Sequence, residues 1–167
     1  EVHLLDLKNP SAKPRLIEKR TAGLRYEVEH HPSFNGEEVL IVLTNVDGAE
    51  DFKISTTPLA NPGRANWRDL IAHQAGTLIL DSSIFKSWMT RLERHEGLPR
   101  IIVREIASGN EHTIAFKEEA YSLGSSTGFE FDTDNLRFSY SSMTTPGEVW
   151  DYDMRTRERV MRKRQEV

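Results

Sequence analysis

The chain has 167 residues, 37% hydrophobic and 29% charged, with 22 basic against 26 acidic side chains and a net charge of −4. That is enough for a domain with its own core, and the charge balance gives no general attraction to nucleic acid or a membrane surface. No stretch approaches the run of about 18 apolar residues that spanning a bilayer requires. The absence of cysteine excludes disulfides, a thiol nucleophile and cysteine-ligated zinc, and fits a reducing compartment.

Read in order, the chain offers short strand-like runs between turn signals and almost no helical periodicity. Glu1 to Leu7 reads as a strand, so the chain opens inside an element. It is therefore expected to be a fragment whose true N-terminus, with any targeting signal, lies elsewhere. Glu38 to Thr44 is nearly continuous in β-branched residues and leucine and is expected to be buried on both faces. Asn45-Val46-Asp47-Gly48 is a turn, glycine supplying the positive φ. Asp51 to Ser55 alternates polar and apolar, as a strand with one drier face. Asn61-Pro62-Gly63 then breaks the chain before Trp67 to Ile71.

The rhythm recurs. Strands are expected at Gly76 to Leu80, Phe85 to Leu92, Arg100 to Ile106 and Glu111 to Phe116, with turns at Gly97-Leu98-Pro99 and Ser108-Gly109-Asn110. A last cycle begins at Phe129-Glu130-Phe131 and continues through Asn135 to Tyr140, Glu148 to Tyr152 and Arg159 to Arg162. Four-strand units spaced about 40 residues apart are the spacing of propeller blades, and favour a propeller over a sandwich or barrel. The expected fold is all-β, a partial β-propeller of about three and a half blades. Residues 1–18 close one blade, and 24–72, 76–116 and 127–163 form three more.

Several motifs suggest chemistry and are better read as structure. Gly124-Ser125-Ser126-Thr127-Gly128 matches G-x-S-x-G, but a nucleophile elbow needs a buried strand before it and a helix after it. Here Glu118 to Tyr121 is polar and Phe129 to Phe131 alternates. The hydrolase order is serine, acid, histidine, and the last histidine, His112, precedes Ser126. The cluster reads as a loop between blades. His30 and His31, adjacent in a strand, point to opposite faces and cannot share a metal. They read as a pair at a strand end making local hydrogen bonds. His95-Glu96 lacks a second histidine. Asp132-Thr133-Asp134-Asn135 opens like a calcium loop, but Arg137 stands where that loop needs glycine. No catalytic, metal-binding or cofactor-binding residue is assigned.

Arg155, Arg157, Arg159, Arg162, Lys163 and Arg164 form the strongest charge feature. With Glu148, Asp151 and Asp153 just upstream, these cations are expected to pair across a hairpin or face a neighbouring domain rather than nucleic acid. Trp67, Trp88 and Trp150 read as packing residues at corresponding late positions of strands.

Specific strings go further. Leu24-Arg25-Tyr26-Glu27-Val28-Glu29-His30-His31, Leu43-Thr44-Asn45, Asp51-Phe52-Lys53-Ile54 and Trp67-Arg68-Asp69-Leu70-Ile71 resemble the later propeller blades of oligopeptidase B-type enzymes in the prolyl oligopeptidase family of serine peptidases. So do Tyr140-Ser141-Ser142-Met143-Thr144-Thr145-Pro146, Glu148 to Asp153 and Arg159 to Val167. The resemblance implies a propeller of about seven blades over a Ser-Asp-His α/β-hydrolase domain, restricting access to short peptides cut after Arg or Lys. It also implies that this segment lacks the hydrolase domain and every triad residue, and serves as a substrate-size filter and interdomain gate. Its partners would be its missing blades, the hydrolase domain and oligopeptide substrate, and in isolation it would self-associate. The rival reading is a stand-alone propeller-like module that binds other proteins.

Overall fold

The computed structural model describes residues 1–126, 128 and 130–166. Among them there are fourteen strands, two short 3-10 turns and no α-helix. The pair β1 (His3–Leu4) and β2 (Arg15–Leu16) is followed by three antiparallel sheets of four strands. The first holds β3 (Tyr26–Phe34), β4 (Glu37–Thr44), β5 (Lys53–Pro58) and β6 (Arg68–Ile71). The second holds β7 (Thr77–Ile84), β8 (Trp88–His95), β9 (Leu98–Glu105) and β10 (Glu111–Thr113). The third holds β11 (Tyr121–Ser126), β12 (Asn135–Ser142), β13 (Glu148–Asp153) and β14 (Arg159–Arg164). In every sheet, neighbours in space are neighbours in sequence. The chain divides into two units, Glu1–Gln74 and Ala75–Val167.

In the first unit the β3–β4 hairpin turns at Asn35 and Gly36, both with positive φ (51° and 90°), the two-residue geometry that matches strand twist. Val39 to Leu43 are all buried, as the unbroken apolar run predicts. Leu40 and Val42 pack with Ile17, Val46 and Trp67, and Val2 and Leu4 lie against that cluster. The short β1–β2 ribbon therefore covers this face of the sheet. Of the strand expected over Glu1 to Leu7, only His3–Leu4 pairs, and Leu7 is exposed.

The second unit stacks its two sheets face to face. Phe85, Trp88, Ile101, Val103 and Ile114 meet Leu136, Phe138, Tyr140, Tyr152 and Met154 in one core. On β12 the alternation is strict: Leu136, Phe138 and Tyr140 point into that core while Asn135, Arg137 and Ser139 are exposed. The other side of the second sheet carries charge. Buried Arg91 holds Glu111 through two bonds of 2.9 Å and Glu93 at 3.1 Å, and Arg100 reaches Glu93 at 3.3 Å. A buried ion of this kind needs its partners, because desolvation without them is costly.

Several boundaries differ from expectation; β7 runs on to Ile84 and β8 spans Trp88–His95 rather than Phe85 to Leu92. The third sheet starts at Tyr121, ahead of position 127, because the Gly/Ser cluster is strand rather than loop: Leu123, Gly124, Ser125 and Ser126 pair with Tyr140, Ser139, Phe138 and Arg137. A Cβ on Gly124 would stand 2.8 Å from Ser139 Oγ, so glycine lets β12 approach and marks the strand. Of the strand expected at 129–131, Glu130 and Phe131 lie outside any strand, and Phe129, like Thr127, lies outside the described residues. The turn placed at Gly97-Leu98-Pro99 falls at Glu96-Gly97, both with positive φ, and Leu98 opens β9. Finally, β10 ends at Thr113, short of Phe116.

Candidate functional site

The residues that could suggest chemistry are occupied with local structure. Ser126 ends β11 and is exposed, while Ser125 donates to Asp81 Oδ2 at 3.2 Å. The ring of His112 bonds the Tyr152 hydroxyl at 2.9 Å. Burial, with the Arg157 charge behind it, holds His112 below the ordinary histidine value. Among the described residues no imidazole touches Ser125 or Ser126. His30 meets Glu38 at 3.1 Å on the exposed side of β3, and buried His31 accepts from the Ser33 amide at 3.1 Å. The two rings do point to opposite faces, but within the strand rather than at its end. His95 bonds the Thr77 hydroxyl at 2.9 Å. In the calcium-like turn, Asp132 pairs with Lys86 at 2.6 Å, and Asp134 takes the Trp88 indole at 2.8 Å and Arg155 at 3.1 Å.

The tryptophans do not share a position. Trp67 precedes β6 and donates to Pro62 O at 2.9 Å, Trp88 opens β8, and Trp150 lies inside β13, half-buried. The basic tail is largely edge strand. Every residue of β14 is exposed, and its cations reach across the hairpin: Arg162 to Asp151 at 2.6 Å and Arg164 to Glu148 at 3.1 Å. Asp151 also takes Arg137 at 2.7 Å, so one carboxylate ties together β12, β13 and β14.

The feature that sequence reasoning missed is a cleft of about 660 Å³ in the second unit, lined by Phe116, Glu118, Tyr140, Trp150, Arg159 and Arg164 among others. It forms where the connection from β10 to β11 crosses the third sheet. Phe116 stacks on Tyr140 with ring centres 5.0 Å apart and planes 8° apart, and meets Phe138 edge-on at 5.7 Å. Glu118 accepts hydroxyls from Thr144 at 2.6 Å, from Thr145 at 2.9 Å and from Tyr140. The hydroxyls of Ser142, Thr144 and Tyr140 hold its carboxyl down to about 2. Burial, and then the hydrogen bond to Glu118, push Tyr140 up to about 12. Arg159 lies over two rings, 5.5 Å from the centre of Phe116 and 5.8 Å from that of Trp150, and donates to Ala115 O at 2.9 Å. Glu148 takes the Trp150 indole at 2.8 Å as well as Arg164. No pattern in the sequence joins Glu118 to hydroxyls 22 to 27 positions downstream; only the crossing does.

Sheets of four consecutive antiparallel strands, repeated along the chain, are blades of a β-propeller. No helix among the described residues is long and apolar enough to cross a membrane. Residues 1–165 match the family described as prolyl oligopeptidase, N-terminal β-propeller domain, and the chain belongs to it. Dipeptidyl aminopeptidase BI of Pseudoxanthomonas mexicana is 33% identical over 161 residues, 95% of this chain and 21% of that protein. Oligopeptidase B from Trypanosoma brucei, solved in a closed form with covalently bound antipain, superposes with a TM-score of 0.86 at 29% identity over 99% of this chain and 24% of its own. Oligopeptidase B from Leishmania major gives 0.87 at 25% identity, with the same coverage. The chain thus spans between a fifth and a quarter of the relatives it matches. It is propeller of the prolyl oligopeptidase type: the strand rhythm points to the propeller, and the resemblance of its specific strings to the family.

Proposed function

We propose that this chain is the propeller portion of a serine peptidase that cuts short peptides after arginine or lysine, and that it acts without chemistry of its own as a size filter and interdomain gate. The observation that carries the reading is the superposition on T. brucei oligopeptidase B along 99% of the chain. The closed form in which that relative was solved supports a gating role. Sheets of four strands hydrogen-bonded to one another move as stiff bodies, and stiff bodies exclude volume. In this reading the partners are the remaining blades, an α/β-hydrolase domain and oligopeptide substrates, in the cytoplasm. The isolated chain would self-associate through its open sheet edges. β14 is exposed throughout and Leu5, Leu7 and Leu16 are exposed near the other end.

The test uses the full-length gene product. It should cleave a fluorogenic Arg-Arg peptide in preference to the Pro counterpart, and leave the same Arg-Arg sequence uncut inside a folded protein. Preference for proline would overturn the specificity. Equal cleavage of the free and the embedded sequence would overturn the filter.

A further inference from the structure

Five charged side chains line the cleft of the third sheet: Lys117, Arg159 and Arg164 against Glu118 and Glu148. The acids are spoken for. Glu118 accepts three hydroxyls, and Glu148 takes Arg164 and the Trp150 indole. Among the described residues no carboxylate pairs with Lys117 or Arg159. Arg159 is nonetheless fixed in place. Two aromatic faces hold its guanidinium and one of its five N–H donors is used on Ala115 O. Stacking consumes no donor, so the others remain available for an anion, and the loss of side-chain entropy that usually weakens an exposed arginine is already met. Phe116 and Trp150 add apolar wall beside that cation. A cation held over aromatic surface, with a second cation nearby, matches a carboxylate that carries an apolar group.

We propose that this cleft binds the free carboxyl terminus of a peptide ending in an apolar or aromatic residue. Arg159 and Lys117 take the carboxylate, and Phe116 and Trp150 take the last side chain. That the ligand is a peptide rests on the peptidase reading above; the preference for a carboxylate rests on the cleft alone.

The experiment titrates the 167-residue chain with N-acetyl-Gly-Phe, its C-terminal amide and inorganic phosphate, following the indole N–H resonance of Trp150, assigned with Trp150→Phe. The acid should saturate and shift Trp150, leaving Trp67 and Trp88 unmoved. The amide should bind at least about tenfold more weakly, the scale of one charge-assisted contact, and phosphate should be weaker than the acid. Arg159→Gln and Lys117→Gln should each weaken the acid by a similar factor, and Arg94→Gln, exposed elsewhere in the unit, should not. Lys117→Gln serves if Arg159→Gln fails to fold. Equal binding of acid and amide, phosphate as good as the acid, or no saturation by about 10 mM would each overturn the proposal. Cleavage plays no part in this readout, so its failure leaves the peptidase reading standing, and the reverse holds.

Discussion

β4 and β12 are both the second strand of a four-stranded sheet, and they present opposite solutions. From Val39 to Leu43, β4 is apolar and buried on both faces. β12 buries only Leu136, Phe138 and Tyr140 and turns Asn135, Arg137 and Ser139 outward. Strand order and pairing are the same in both sheets, so backbone hydrogen bonding does not make the difference. What differs is what lies on each face. In the first unit the β1–β2 ribbon supplies one cover. In the second unit the facing sheet covers one side of β12, while the other carries Arg137, Asp151 and Arg162 in a row across three strands. Hydrophobic burial fixes the register of β4 from both sides; on β12 burial fixes one side and charge pairing decorates the other.

The sharpest way to break this comparison is to place a charge on each strand. Val42→Asp sets a carboxylate where nothing is exposed and should prevent folding, whereas Ser139→Asp, on the open face of β12, should leave a cooperative melt. A soluble, cooperatively melting Val42→Asp protein would show that β4 is not covered as described. A smaller effect is expected from Asp151→Asn, which weakens the acceptor of both Arg137 and Arg162. The loss should be about 1 kcal/mol by urea denaturation, and smaller still in high salt, as for largely exposed pairs. A loss above about 3 kcal/mol would mean that the row is structural core.

The smallest effect is one of pH. Glu118 sits at about 2 when folded, against an ordinary 4.5. A depressed carboxylate contributes stability that is complete above its ordinary value and is lost as pH falls through its folded one. Asp151, held down mainly by Arg137, acts in the same direction. The melting temperature should therefore fall between about pH 4.5 and 2, less steeply in Glu118→Gln than in the parent chain. Identical slopes would remove Glu118 from the acid response.

The repeat of strands was legible because most of the strands carry their own signal. β4 announces double burial by an unbroken Val/Leu/Ile run, and β12 announces single burial by strict alternation. β11 was not legible, because glycine and serines have low strand propensity and its first requirement is close approach to Ser139, a property of the neighbouring strand. The cross-hairpin pairing of Arg162 and Arg164 followed from the charge of adjacent strands. The cleft did not, since it depends on where the β10–β11 connection passes and which hydroxyls it meets. Local periodicity writes elements into sequence, whereas crossings between elements leave no periodic trace.

If the proposed reading holds, this propeller segment should contribute no nucleophile to the peptidase proposed for the whole protein. The measurement is labelling by a fluorophosphonate probe, with peptide mapping, of the 167-residue chain and of the full-length gene product side by side. Stoichiometric labelling and Arg-Arg substrate turnover are expected in the full-length protein alone, at a serine outside residues 1–167. Labelling at Ser126, or turnover by the short chain that survives repurification and is lost in Ser126→Ala, would contradict that reading.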